Sequence, residues 1–363
     1  MMNVIRNWFR AYFSDEEAVY LFFLLAGGLL VILFFGGMLA PVLTALVLAY
    51  LMQGLVTTLM RWGLPEKLSV GLVYLLFVSL LVATLVILLP VIWKQTVNLI
   101  QDQLPRILNN SERWLRELPA AYPEMISMRQ VDTIVELAQR ELANAGQAVL
   151  SLSLATIPSI VDVMIFVVLV PLLVFFFLVD RERLMSWSGS MLPDRRRVLS
   201  NVWAEMDQQI ANYVRGKAIE ILIVGATSYI VFKLLGVNYA LLLAVLVGLS
   251  VVIPYIGATV VTIPVAAVAW VQFGWGGEFA LVMALYAVIQ FLDANVLVPF
   301  LFSEAVNLHP VAIITAILFF GGLWGFWGVF FAIPLATLIK AVLYAWPRNQ
   351  DSPIVTEEPQ PEA

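Results

Sequence analysis

Charge is absent from several long apolar stretches of the chain, and these stretches define its elements. Residues 18–60 form one run of 43 positions without Asp, Glu, Lys or Arg. As a helix this run is about 65 Å long against a hydrocarbon core of roughly 30 Å, so it predicts two membrane spans. A turn at Gly36-Gly37 or at Pro41 would divide them. Similar runs predict a third span over 68–93, a fourth over 156–179, a fifth over 218–236 and a further one over 279–302. The first run follows Asp15-Glu16-Glu17 and far exceeds a signal-peptide core, so cleavage is not expected.

Two charge-free runs, 234–277 and 305–339, are too long for a single crossing without a large overhang. Each is interrupted near its middle. The first carries Pro254-Tyr255-Ile256-Gly257 and then Pro264; the second carries Gly321-Gly322, Gly325, Gly328 and then Pro334. We read both as helical hairpins, over 234–277 and 305–342, with kinked overlong helices as the alternative. A faint repeat links them: Val237-Asn238 and Val306-Asn307 lie 69 residues apart, and Ile263-Pro264 and Ile333-Pro334 lie 70 apart. Each unit reads as one span plus one hairpin. A re-entrant hairpin returns to its own side, so the second unit would be inverted relative to the first.

Outside these runs the periodicity is helical but amphipathic. Val97, Ile100, Leu104 and Ile107 form one stripe; Val131, Ile134, Val135, Ala138, Leu142, Ala145 and Val149 form another, with Pro119 and Pro123 between them. Leu199, Val202, Trp203, Met206, Ile210 and Tyr213 repeat the pattern after Arg195-Arg196-Arg197, which predicts a helix lying at the inner leaflet. Residues 347–363, rich in proline and acids, read as a disordered tail.

Basic residues set the orientation. Arg6 and Arg10, the loop with Arg61 and Lys67, and the segment from Arg181 to Lys217 all fall on one side, predicted to be cytoplasmic. The chain then divides into a cytoplasmic segment 1–17, three spans over 18–93 and an extracytoplasmic helical insertion over 94–150. A fourth span over 151–179, a cytoplasmic amphipathic linker over 180–217, a transport core over 218–346 and a cytoplasmic tail follow. The expected class is an all-α integral membrane protein with about eight membrane helical segments, two of them hairpins in an inverted repeat.

Composition narrows the chemistry. The chain is 62% hydrophobic and 12% charged over 363 residues, against roughly 45–50% and about 25% for soluble domains, so it belongs in a bilayer. It has no cysteine and one histidine, His309. Disulfides, thiolate metal sites and His-pair metal sites are excluded, a single histidine argues against Ser-His-Asp catalysis, and no enzyme activity or cofactor is expected. The net charge of −5 comes without a long basic tract and gives no sign of a nucleic-acid surface. Gly216-Lys217 is followed by Ala218 and lacks the upstream Gly of a phosphate-binding loop.

Ionisable residues inside spans are functional candidates, because each is costly unless it is paired or faces water. Asp293 lies mid-span in 279–302, with Gln290 one turn earlier, Asn295 close by and Pro299 after it. This cluster predicts a cavity lining; a hydrogen-bonded helix contact is the plain alternative. Glu220 sits one turn from Lys217 and reads as a local ion pair. Asp162 lies near a span end and Lys233 snorkels, so neither is a site candidate.

The stretch Leu249-Ser250-Val251-Val252-Ile253-Pro254-Tyr255-Ile256-Gly257, the run from Gln290 through Asp293, Asn295 and Pro299, the triplet Leu308-His309-Pro310 and the block Gly321 to Pro334 together resemble the AI-2E (autoinducer-2 exporter) family. Asp180-Arg181-Glu182-Arg183 and Tyr213-Val214-Arg215-Gly216-Lys217 fit the same pattern. The resemblance implies eight membrane segments with two hairpins, a homopentamer and an elevator mechanism in each protomer. It also implies either export of the furanone signal autoinducer-2 or sodium/proton antiport. Asp293 stands where many members have Glu, a change that keeps the carboxylate.

The leading expectation is a bacterial inner-membrane secondary transporter of a small polar solute, multi-pass, with both termini cytoplasmic. Pro254, Tyr255 and Gly257 in one hairpin and Gly325, Trp327 and Gly328 in the other would bracket the solute. Gln290, Asp293 and Asn295 would supply hydrogen bonds. The second expectation is a cation/proton antiporter with Asp293 as the ion-coupling residue; the third is an envelope scaffold that transports nothing. Expected partners are membrane lipid, the solute or a cation and proton, and further copies of the chain.

Overall fold

The computed structural model describes residues 16–103, 127–154, 156–192, 197–254, 256–302 and 308–345, with isolated positions between 105 and 119. Among these residues the chain is helical throughout, without a strand. The helices are α1 (Glu16–Phe35), α2 (Ala40–Arg61), α3 (Glu66–Ala83), α4 (Leu89–Asn98), α5 (Met128–Leu154), α6 (Thr156–Val179) and α7 (Arg181–Ser190). They continue as α8 (Arg197–Leu234), α9 (Ala240–Ser250), α10 (Ile256–Phe273), α11 (Gly277–Leu292), α12 (Val298–Phe302), α13 (Pro310–Phe330) and α14 (Ala332–Ala345). Single π-helical turns, Thr84–Leu88 and Asp293–Leu297, join α3 to α4 and α11 to α12 without breaking the rod.

Five helical stretches are long and apolar enough to cross a bilayer: Ala40–Arg61, Glu66–Gln101, Ile256–Phe273, Gly277–Phe302 and Pro310–Phe330. A sixth is present if the pair bent at Asp180 counts as one span. Val19–Val31, Ala240–Ser250 and Ala332–Val342 are shorter apolar helices. Outward-facing Leu72, Leu75, Leu76, Leu80, Val86 and Ile87 on one rod are exposed. Such a surface needs lipid rather than water. The chain is a multi-pass membrane protein.

The packing separates two compact units. One comprises residues 41–181 and 211–305. Inside it, Ala45 and Val56 of α2, Val70, Val73 and Phe77 of α3, and Val170, Val174 and Leu178 of α6 form one core. A second core joins α8 to α11 through Val224, Phe232, Leu243, Val247, Val265, Val268, Val282 and Tyr286. The other unit comprises residues 1–40, 182–210 and 306–363. There Leu21, Leu199, Val202, Met206 and Val342 cluster, and Ala316, Ile317 and Ala332 pack α13 on α14.

Several expectations change in detail. The turn at 36–39 falls where Gly36-Gly37 placed it. The amphipathic stretch 199–213 and the apolar stretch after 218 run on as one helix of 38 residues. Along its stripe, Leu199, Val202 and Met206 are buried with Leu21 and Val342, while Trp203 is exposed. The second stripe of the insertion is helical, with Val131 and Val135 buried and Ile134 exposed. Leu104, Ile107, Pro123, Val306-Asn307, the N-terminal basic residues and the tail lie outside the described residues.

Candidate functional site

The first predicted hairpin is α9, a five-residue break, and α10. Val252 and Ile253 donate back to the carbonyls of Leu249 and Ser250, and Gly257 N–H donates to Ile253 O at 2.9 Å. Pro254 is half-buried in this turn; Tyr255 lies outside the described residues. The tip closes so tightly that a Cβ on Gly257 would lie 1.8 Å from the Ser250 carbonyl oxygen. Only glycine fits there. Along α9, a Cβ on Gly248 would meet Ile221 O at 2.9 Å and Gly225 Cα at 3.1 Å, so two small residues let α9 and α8 approach almost backbone to backbone.

That approach places the tip on α8. The carbonyl of Val251, the first residue after α9, accepts a hydrogen bond of 2.8 Å from Lys217 Nζ. The same ammonium donates to Glu220 Oε1 at 3.1 Å and lies 2.8 Å from Glu220 Oε2. It sits 5.3 Å from the centroid of the Phe302 ring, which packs on Tyr213 at 5.8 Å. Lys217 is 4% exposed and Glu220 1% exposed. Asp293 stands near enough for its charge to act on Glu220 and for the Lys217 ammonium to act on it.

Asp293 begins the π turn that follows α11. Such single wide turns re-aim side chains and recur at functional sites. Tyr286, Gln290 and Asp293 follow at spacings of four and three, one helical face. Tyr286 Oη is hydrogen-bonded to Thr262 Oγ1 of α10 at 3.0 Å, which fixes this face against the hairpin. Gln290 Nε2 and Asp293 Oδ1 are both buried without a hydrogen-bond partner among the described residues. Leaving such a group unmatched costs about 1–3 kcal/mol, which makes these two atoms the candidate polar contacts of this face. Asn295 does not join them. It is exposed and its Nδ2 donates to Phe291 O at 2.9 Å, because a residue two positions on from Asp293 faces the other side.

The second predicted hairpin belongs to the other unit. Gly325 has φ 58° and ψ −134°, outside the helical range, and there α13 doubles back on itself. A positive φ costs a Cβ-bearing residue energy, so glycine marks the reversal. Beyond it, a Cβ on Gly328 would lie 1.8 Å from Phe320 O, the counterpart of the Gly257 contact. Trp327 and Trp324 stack on Phe331 at 6.0 and 6.4 Å. Trp324 Nε1 is buried without an acceptor among the described residues.

Sequence reasoning singled out Asp293 and Gln290 and missed Trp324, Thr262 and Phe302. It paired Lys217 with Glu220 but left them out of the site, because a backbone carbonyl 34 residues away leaves no trace in a sequence. No group of three or more His, Asp or Glu side chains among the described residues is placed to hold a metal.

The family model for AI-2E family transporters matches residues 21–348. The chain belongs to the AI-2E transporter family. Among AI-2E relatives, the protein named "Putative permease PerM" from Escherichia coli K12 is 47% identical over 350 residues, covering 96% of this chain and 99% of that one. "Putative transport protein YueF" of Bacillus subtilis 168 is 26% identical, over 83% of this chain and 82% of its own. "AI-2 transport protein TqsA" of E. coli K12 is 24% identical, over 87% and 90%. These names are those of permeases and transport proteins, so the family supports a transporter role.

Proposed function

We propose that the chain is a secondary transporter of the bacterial inner membrane that carries a small polar solute, such as autoinducer-2, by elevator-type alternating access. The observation that carries this reading is that two buried groups, Gln290 Nε2 and Asp293 Oδ1, have no hydrogen-bond partner among the described residues, on the helix that Tyr286 ties to Thr262 of α10. An uncharged, oxygen-rich solute supplies an acceptor for the amide and a donor for the carboxylate at once. In this reading the two hairpins are re-entrant and belong to an inverted repeat within about eight membrane segments. Both termini are cytoplasmic, the insertion 94–150 is extracytoplasmic, and protomers assemble as a pentamer.

One observation favours a second reading, cation/proton antiport. Lys217 pairs with Glu220, whereas the carboxylate of Asp293 has no ion-pair partner among the described residues. A proton or a cation on Asp293 would balance it. Purified protein in liposomes tests both readings with one preparation. Solute uptake without cation-driven proton movement supports the carrier, proton movement driven by a cation gradient supports the antiporter, and the absence of both would overturn the transport reading.

A further inference from the structure

Lys217 is held as an ion is held, on oxygens drawn from separate elements. Three oxygen atoms surround its nitrogen: Val251 O at 2.8 Å, Glu220 Oε2 at 2.8 Å and Glu220 Oε1 at 3.1 Å. The Phe302 ring presents its face from 5.3 Å, adding the negative face of an aromatic quadrupole. A backbone carbonyl, a carboxylate and an aromatic face form a coordination shell for a weakly hydrated monovalent cation. Ammonium and potassium ions are close in size, and both sit at these oxygen distances, whereas sodium needs a tighter shell. A helix interrupted within an apolar region is also where free carbonyls become available to cations.

We propose that the pocket between α8 and the tip of the first hairpin is a monovalent-cation site whose occupant is the chain's own Lys217 ammonium. The lysine is a tethered ion. It supplies permanently the charge that Val251 O and Glu220 require, so the tip is held closed on α8 without a free cation. Removing the side chain would open the pocket to a free potassium or ammonium ion. The inference concerns occupancy of a site at equilibrium and does not depend on which solute is carried.

The test uses the purified full chain in detergent or nanodiscs, with thermal unfolding followed in chloride salts of choline, sodium, potassium and ammonium at equal ionic strength. Wild type should gain nothing from potassium or ammonium beyond what sodium gives. Lys217→Ala should be destabilised in choline and recover saturably in potassium and ammonium, by on the order of several degrees when the ion exceeds its Kd about 100-fold. Lys217→Ala combined with Glu220→Ala should lose that recovery. Equal midpoints of Lys217→Ala in all salts, a wild type with the same cation dependence, or a double variant that still recovers would each overturn the proposal. If Lys217→Ala fails to fold in every salt, Lys217→Gln is read in its place, and equal midpoints there overturn it. The readout is stability rather than flux, so failure here leaves the transport reading standing, and absence of flux leaves this one standing.

Discussion

At the scale of single residues, the most exacting feature is a charge pair with almost no solvent. Lys217 and Glu220 satisfy each other and the tip of a hairpin at once. Removing one partner strands the other in an apolar core, which typically costs about 3–5 kcal/mol. Lys217→Met is therefore expected to lower stability by about that amount in a potassium-free buffer. Combining it with Glu220→Met should recover most of the loss, as read by thermal unfolding of purified protein. Equal destabilisation by the single and double variants would mean that the pair has no mutual dependence. The pair was visible in the sequence from its spacing of three, but its role was not: a helical spacing reports neighbours on one helix and nothing about the carbonyl that completes the shell.

Helical elements owe their shape to glycine more than to proline. Gly257 and Gly328 each face a carbonyl oxygen at a distance no Cβ tolerates, and each sits just past the reversal of a helix pair. Overpacking of this kind costs about 1–3 kcal/mol or more, since backbone has to move. Gly257→Ala and Gly328→Ala should both lower the unfolding temperature measurably. Gly322→Ala should not, because a Cβ there meets nothing within 4 Å and helix propensity favours alanine by about 1 kcal/mol. Equal effects at all three positions would contradict tight hairpin tips. Long charge-free runs with central Gly and Pro made the breaks legible in advance at Pro254-Gly257 and Gly325. The union of 197–234 in one helix was not legible, because its hydrophobic stripe widens from one face to the whole circumference without any capping residue to signal continuity or a stop.

For the molecule as a whole, apolar runs foretold a helical membrane protein, and the family match over residues 21–348 agrees. Orientation rests on basic residues alone, at Arg61, Lys67 and from Arg181 to Lys217. Reporter fusions at Asn110 and Gln350 should report opposite sides of the membrane, with Gln350 cytoplasmic; the same side for both would refute the topology. The central claim, that the carboxylate of Asp293, whose Oδ1 is buried, takes part in transport, is tested most directly at that residue. The measurement is solute and cation-driven proton flux in liposomes for wild type and Asp293→Asn, which keeps shape and hydrogen-bonding capacity but removes the charge. If Asp293 carries the coupling ion, the variant assembles normally and ion-coupled movement is lost. If it holds a neutral solute, binding weakens by roughly 1–3 kcal/mol and pH-independent transport persists. Wild-type flux with an unchanged pH profile would contradict the account and return Asp293 to a helix-packing role.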